Sequence, residues 1–83
     1  MLSNDIKWLR REILIYGERM IEELNEPSAY EPYIHSDGVY KRLHIYRKDT
    51  CDSVLTIRAP TYLDLYHAVQ DAWLAYMFMR RGF

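Results

Sequence analysis

From Val39 to Lys48 the chain reads Val-Tyr-Lys-Arg-Leu-His-Ile-Tyr-Arg-Lys, with Val39, Leu43 and Ile45 on one side at period two and Tyr40, Arg42, His44 and Tyr46 on the other. Only a strand explains this alternation. The stretch is therefore expected to be a central strand, with an aliphatic floor for a core and an outer side that is aromatic and basic at once. Upstream the period changes. Leu2, Ile6, Leu9, Ile13, Tyr16, Met20 and Leu24 form one stripe on a wheel of 100° per residue, the core face of a first helix. Ser3 or Asn4 is placed to cap it, Asp5 suits the positive end of its dipole, and Asn25-Glu26-Pro27 stops it, because the residue before proline resists helical geometry. Gly17 costs this helix about 1 kcal/mol relative to alanine. Either a neighbour packs closely there or the helix is not optimised.

Tyr30 to His35 alternates weakly and contains Pro32, which fits a short edge strand. Ser36-Asp37-Gly38 is a turn in which Gly38 supplies a positive φ. Lys48 to Asp52 is a polar loop, and Ser53 to Ala59 reads as a third strand with Leu55 and Ile57 inward and Val54, Thr56 and Arg58 outward. Thr61 then caps a second helix, with Asp64 as an acidic variant of the capping box. Its core face holds Tyr62, Leu65, Tyr66, Val69, Ala72, Trp73, Tyr76 and Met77; Arg80 and Arg81 suit its C-terminal end, and Gly82 ends it. The expected fold is α+β: a helix, a three-stranded antiparallel meander and a helix. Since one sheet face alone is aliphatic, both helices should pack on it and leave the other open.

Length and composition narrow this picture. Eighty-three residues make one domain, 1–83, with no room for a second core. Such a chain buries only about 60–65% of its unfolded surface. Cys51 is the only cysteine, so no disulfide within the chain reinforces it; a lone thiol without a secretory leader is what a cytoplasmic protein shows. The longest strongly apolar run, Ala72 to Met79, is far short of the roughly 20 residues that span a bilayer, so no membrane partner is expected. Net charge is −1, which provides no global field for nucleic acid. Residues 1–29 carry six acids against four bases and residues 30–60 four against five, so the middle third alone is basic.

Three surfaces are candidates for contact. On the first helix Trp8 and Ile15 lie off the core stripe, seven residues apart, with charges including Glu12, Arg19 and Glu22 around them: an apolar seam for a partner or a second copy. Glu18, Glu22 and Glu23 supply acidity to the same helix. On the second helix Leu74 and Phe78 are apolar groups without a place in the core. The open sheet face gathers Tyr40, Arg42, His44, Tyr46 and Arg58, where rings would stack bases and arginines meet phosphates.

Catalytic chemistry finds less. Asp64, His67 and Asp71 share one helix side but lack a fourth ligand and supporting groups, so no metal or cofactor is expected. Cys51 sits between Asp49 and Asp52, the reverse of what a thiolate nucleophile needs. The three glycines, at 17, 38 and 82, form no phosphate loop. No enzyme is expected.

The order helix, three strands, helix resembles the double-stranded-RNA-binding domain in topology. That family opens its second helix with a lysine-rich motif, and the residues here are Thr61-Tyr62-Leu63-Asp64-Leu65, with an acid and no lysine. In size, mixed build and absence of catalytic motifs the chain looks like the small inhibitors that phages and mobile elements direct at host proteins, such as the anti-CRISPR proteins. The expectation is a non-enzymatic binding module acting through protein-protein contact. The alternatives are an RNA- or DNA-binding domain using the Tyr/Arg sheet face and a structural homodimer.

Overall fold

A computed structural model describes residues 3–80, with the side chains of Ser3 and Asn4 excepted. The expected parts played by Leu2, Arg81 and Gly82, and by Ser3 or Asn4 as caps, lie outside the described residues. Helix α1 (Ser3–Glu22) is followed by a short 3-10 turn (Pro27–Ala29), strands β1 (Tyr30–Ser36), β2 (Lys41–Arg47) and β3 (Ser53–Ala59), and helix α2 (Tyr62–Arg80). The strands form one antiparallel sheet in the order β1-β2-β3, as the alternation requires. No helix among the described residues is long and apolar enough to cross a membrane.

Both helices pack on the aliphatic face. Ile13 of α1, Ile34, Leu43 and Ala59 of the sheet, and Leu65 and Val69 of α2 form one buried cluster, with Ile57, Tyr62 and Tyr66 against it. Register explains the floor: Ile34 pairs with Leu43, Leu43 with Ile57, and Ile45 with Leu55, so the inward residues of all three strands fall in rows. Gly17 is a close approach. A Cβ there would lie 3.0 Å from Pro32 Cβ and 3.5 Å from a methyl of Leu43, so its helix-propensity cost is offset by the contact of α1 with the sheet.

The two helices are joined by aromatic and polar groups that periodicity does not reveal. Trp8 meets Tyr66 edge-on at 5.5 Å, Tyr16 meets the same ring at 6.2 Å, and Gln70 Nε2 donates to both the Tyr16 and Tyr66 hydroxyls at 3.3 and 3.0 Å. Glu23 pairs with Arg80 at 2.8 Å. At the start of α2, Thr61 Oγ1 accepts the Asp64 N–H at 3.1 Å, the expected cap.

Two expected strand positions differ. Val39 is 68% exposed and lies in the turn, not on the floor of β2. The cause is Asp37, whose carboxylate accepts the N–H groups of Val39 and Tyr40 at 2.9 and 2.8 Å and so removes them from the ladder; Gly38, at φ +90°, completes the turn. Val54 is not on the open face either. The β2–β3 register slips between Ile45 and Tyr46, which makes Val54 the extra residue of a bulge, and it lines an apolar groove on the helix side. Ile21, absent from the expected stripe, is buried.

Candidate contact surfaces

The open sheet face is built in three rows by the strand register. His35, Arg42 and Arg58 stand side by side across the strands; Tyr33, His44 and Thr56 form the next row; Glu31, Tyr46 and Ser53 form the third. All five residues expected on this face, Tyr40, Arg42, His44, Tyr46 and Arg58, are brought together there. Sequence reading missed Glu31, Tyr33 and His35, because β1 alternates too weakly in hydrophobicity to show which of its sides is open.

Most groups on the face are already held. The guanidinium of Arg58 lies 4.8 Å from the centre of the Tyr40 ring and that of Arg42 lies 6.0 Å from it, an arrangement that keeps two like charges near each other. Asp37 bonds Arg42 at 3.1 Å and, among the described residues, is the only carboxylate paired with either arginine. The two turn amides, with Arg42 contributing less, hold the Asp37 carboxyl below its usual range. At the other end Tyr46 Oη donates to Glu31 at 2.6 Å, which pushes the phenol above its ordinary value. Tyr33 stacks on His35 at 6.2 Å and remains exposed. A base-stacking platform needs open rings and cations along its length. Here Tyr40 is covered, Tyr46 is tied to an acid, and the cations sit at one end.

His44 occupies the middle, with Nδ1 3.0 Å from Thr56 Oγ1. Burial pushes its pKa below the ordinary 6.5, and the positive charges of Arg42 and His35 add to the effect. The unfolded chain thus binds the proton more readily, so the stabilising contribution is present above pH 6.5 and is lost as pH falls through the lowered value. Unfolding free energy should therefore drop as pH is lowered from 7 toward 5. A His44→Gln variant should show a flatter dependence in that window in urea titrations; an unchanged slope would exclude His44 as the source.

The helix-borne candidates fall in separate places. Trp8, 46% exposed, is partly covered by Tyr66, whereas Ile15 is half-buried and borders a shallow hollow with Lys7, Arg10, Arg11, Leu14 and Glu18. Arg19 lies over the Tyr16 ring at 5.2 Å. Glu18 and Glu22 are exposed, while Glu23 is engaged by Arg80. Asp64, His67 and Asp71 are exposed, His67 leans on Tyr66 at 5.7 Å, and no metal-holding group of three acids, histidines or cysteines occurs among the described residues.

The last turns of α2 are different. Leu74 is 52%, Phe78 56% and Met79 79% exposed, with Tyr76 also outward. Tyr76 borders an apolar groove of about 280 Å³ together with Met20, Leu24, Ile45, Val54, Leu55 and Ala72. Val54 and Leu55, both exposed, carry this surface onto β3. The bulge at Val54 was invisible in sequence, and with it the groove. No protein-family model matches the chain, and neither a curated protein nor a solved structure is found to be similar to it.

Proposed function

We propose that this protein is a non-enzymatic binding module that works by protein-protein contact, through the apolar end formed by the last turns of α2 and the start of β3. The observation that carries this reading is the exposure of Leu74, Phe78 and Met79 in the last turns of α2, a helix that also borders, through Ala72 and Tyr76 on another of its sides, a groove lined almost wholly by hydrocarbon. Exposed apolar surface of this kind costs free energy in water and is characteristic of surfaces that meet another protein. Helix α2 is also apolar around most of its circumference, as helices covered on several sides are.

The finer proposal is an inhibitor that covers a surface of a host protein. Covering requires shape and apolar contact, not mimicry of a polyanion. Helix α1 is in any case balanced, with Asp5, Glu12, Glu18 and Glu22 against Lys7, Arg10, Arg11 and Arg19.

The test compares two baits in extracts of the native host. Wild type should retain a protein that the Leu74→Asp, Phe78→Asp double variant loses by at least about tenfold, since removing anchors of a contact costs roughly 1–4 kcal/mol. Both positions are on the surface, so thermal unfolding of the two baits should agree. Equal capture by wild type and variant would overturn the assignment.

A further inference from the structure

The open sheet face is polarised along the strands. Its first row, His35, Arg42 and Arg58, holds two arginines and a histidine, with the Asp37 carboxylate of the adjoining turn paired to Arg42 and Arg58 left, among the described residues, without a carboxylate; its third row, Glu31, Tyr46 and Ser53, holds an acid and is followed at once by Asp52. Rows two residues apart on a strand are separated by about 6.8 Å, so the basic and acidic ends lie about 14 Å apart. A polyanion laid along the strands would leave Arg58 and run onto Glu31. What matches the face is a surface with the same charges at the same spacing in reverse order, and the face itself is such a surface.

We propose that the open face pairs with the open face of a second copy, about a two-fold axis that passes through the middle row, perpendicular to the strands. Of the two axes that bring aligned sheets face to face, the one along the strands sets Arg42 against its own copy and Arg58 against His35 of the second copy, and is excluded by like-charge repulsion. The perpendicular axis turns the ends over. It sets His35 opposite Glu31 of the second copy, Arg42 opposite the Tyr46 ring, and Arg58 opposite Ser53 beside Asp52. The middle row then meets itself, Tyr33 on Tyr33 and His44 on His44. A histidine held neutral suits that position, because two imidazolium ions at the axis would repel.

Size sets the strength. Three seven-residue strands present a rectangle of roughly 14 by 23 Å, about 300 Å² before allowing for side-chain relief. A standard stable interface takes about 800 Å² from each partner. The dimer is accordingly weak, with dissociation in the range of roughly 0.1–1 mM. It goes beyond the contact surface assigned to α2, and it leaves that surface uncovered: the helices lie on the far side of each sheet, so the dimer presents two apolar ends outward.

Sedimentation equilibrium from 20 µM to 2 mM at low ionic strength tests this. Wild type should show a monomer–dimer equilibrium that weakens severalfold in about 0.5 M salt, where charges beyond roughly 4 Å are screened. Glu31→Lys and His35→Glu should each weaken it by about five- to tenfold, and the double exchange, which restores opposite charges across the axis, should recover most of the loss. A monomer at 2 mM would overturn the proposal. So would a dimer indifferent to these exchanges, or one abolished by Leu74→Asp and Phe78→Asp instead. None of those results bears on host-protein capture by the α2 surface, which is read separately.

Discussion

Leu43→Ala should remove a large share of the stability of this protein. Leu43 is fully buried at the middle of the central strand, paired with Ile34 on one side and Ile57 on the other, and its methyl groups lie under the close approach of α1 at Gly17. Truncating a buried leucine costs about 2–5 kcal/mol through lost transfer energy and the cavity left behind. Domains of this length have roughly 4–12 kcal/mol in total. Little relaxation is available, because the site is bounded by two strands and a helix and no partly buried loop is near enough to collapse into it. Urea unfolding should show a midpoint lowered by the equivalent of about 2–5 kcal/mol with an unchanged slope; a loss under about 1 kcal/mol would mean that the sheet does not depend on its central floor residue.

Gly17→Leu should be nearly as damaging, for the opposite reason. The space between α1 and β1 is already closed to a single methyl, since a Cβ would stand 3.0 Å from Pro32. Pro32 cannot move without disturbing a strand whose register it shares with Ile45. Overpacking a fitted site costs about 1–3 kcal/mol and sometimes more, against a propensity gain of about 1 kcal/mol for leaving glycine. For leucine the steric term sits at the top of that range, giving a net loss of about 2 kcal/mol. Gly17→Ala is the sensitive intermediate, with the two effects nearly opposed. Glu18→Leu, one residue on and exposed, gives the control: the same side chain there should change stability by no more than about 0.5 kcal/mol. Equal effects at 17 and 18 in thermal unfolding would refute the close-approach argument.

These two residues also illustrate what sequence makes legible. Leu43 and Ile45 announce their burial through period two, and Thr61 and Pro27 mark where helices begin and end, because strand alternation, capping and the proline constraint are local physics. Gly17 signals only that something is close; Pro32, 15 positions away, is a tertiary partner that no local rule supplies. Val39 and Val54 fail for related reasons. Each continues an alternating pattern, yet Asp37 withdraws the backbone around one and a bulge turns the other inward.

The candidate surfaces divide in the same way. The five sheet-face residues gather as expected, since one strand's period dictates most of their direction. Trp8, off the core stripe in sequence, is met by Tyr66 of the other helix, a tertiary partner that helical spacing does not reveal. Leu74 and Phe78 stand out in sequence because they have no stripe to join, whereas the groove that Ala72 and Tyr76 border depends on the Val54 bulge. The rows of opposite charge on the sheet needed the exact register of β1, which its weak alternation conceals.

No polar or charged side chain is buried among the described residues, and the interior is hydrocarbon throughout. Buried polar networks tie a surface to a core, because a change outside strands a partner within. Among the described residues the half-buried Gln70, Tyr16 and Tyr66 group joins the two helices, and no fully buried polar group ties the open sheet face to the core. Each of the two faces, the sheet and the end of α2, can drift or be redesigned without consulting the other or the inside, provided the exposed replacements stay soluble. On the proposed reading of a contact module, that independence would let recognition change quickly while the architecture stands still.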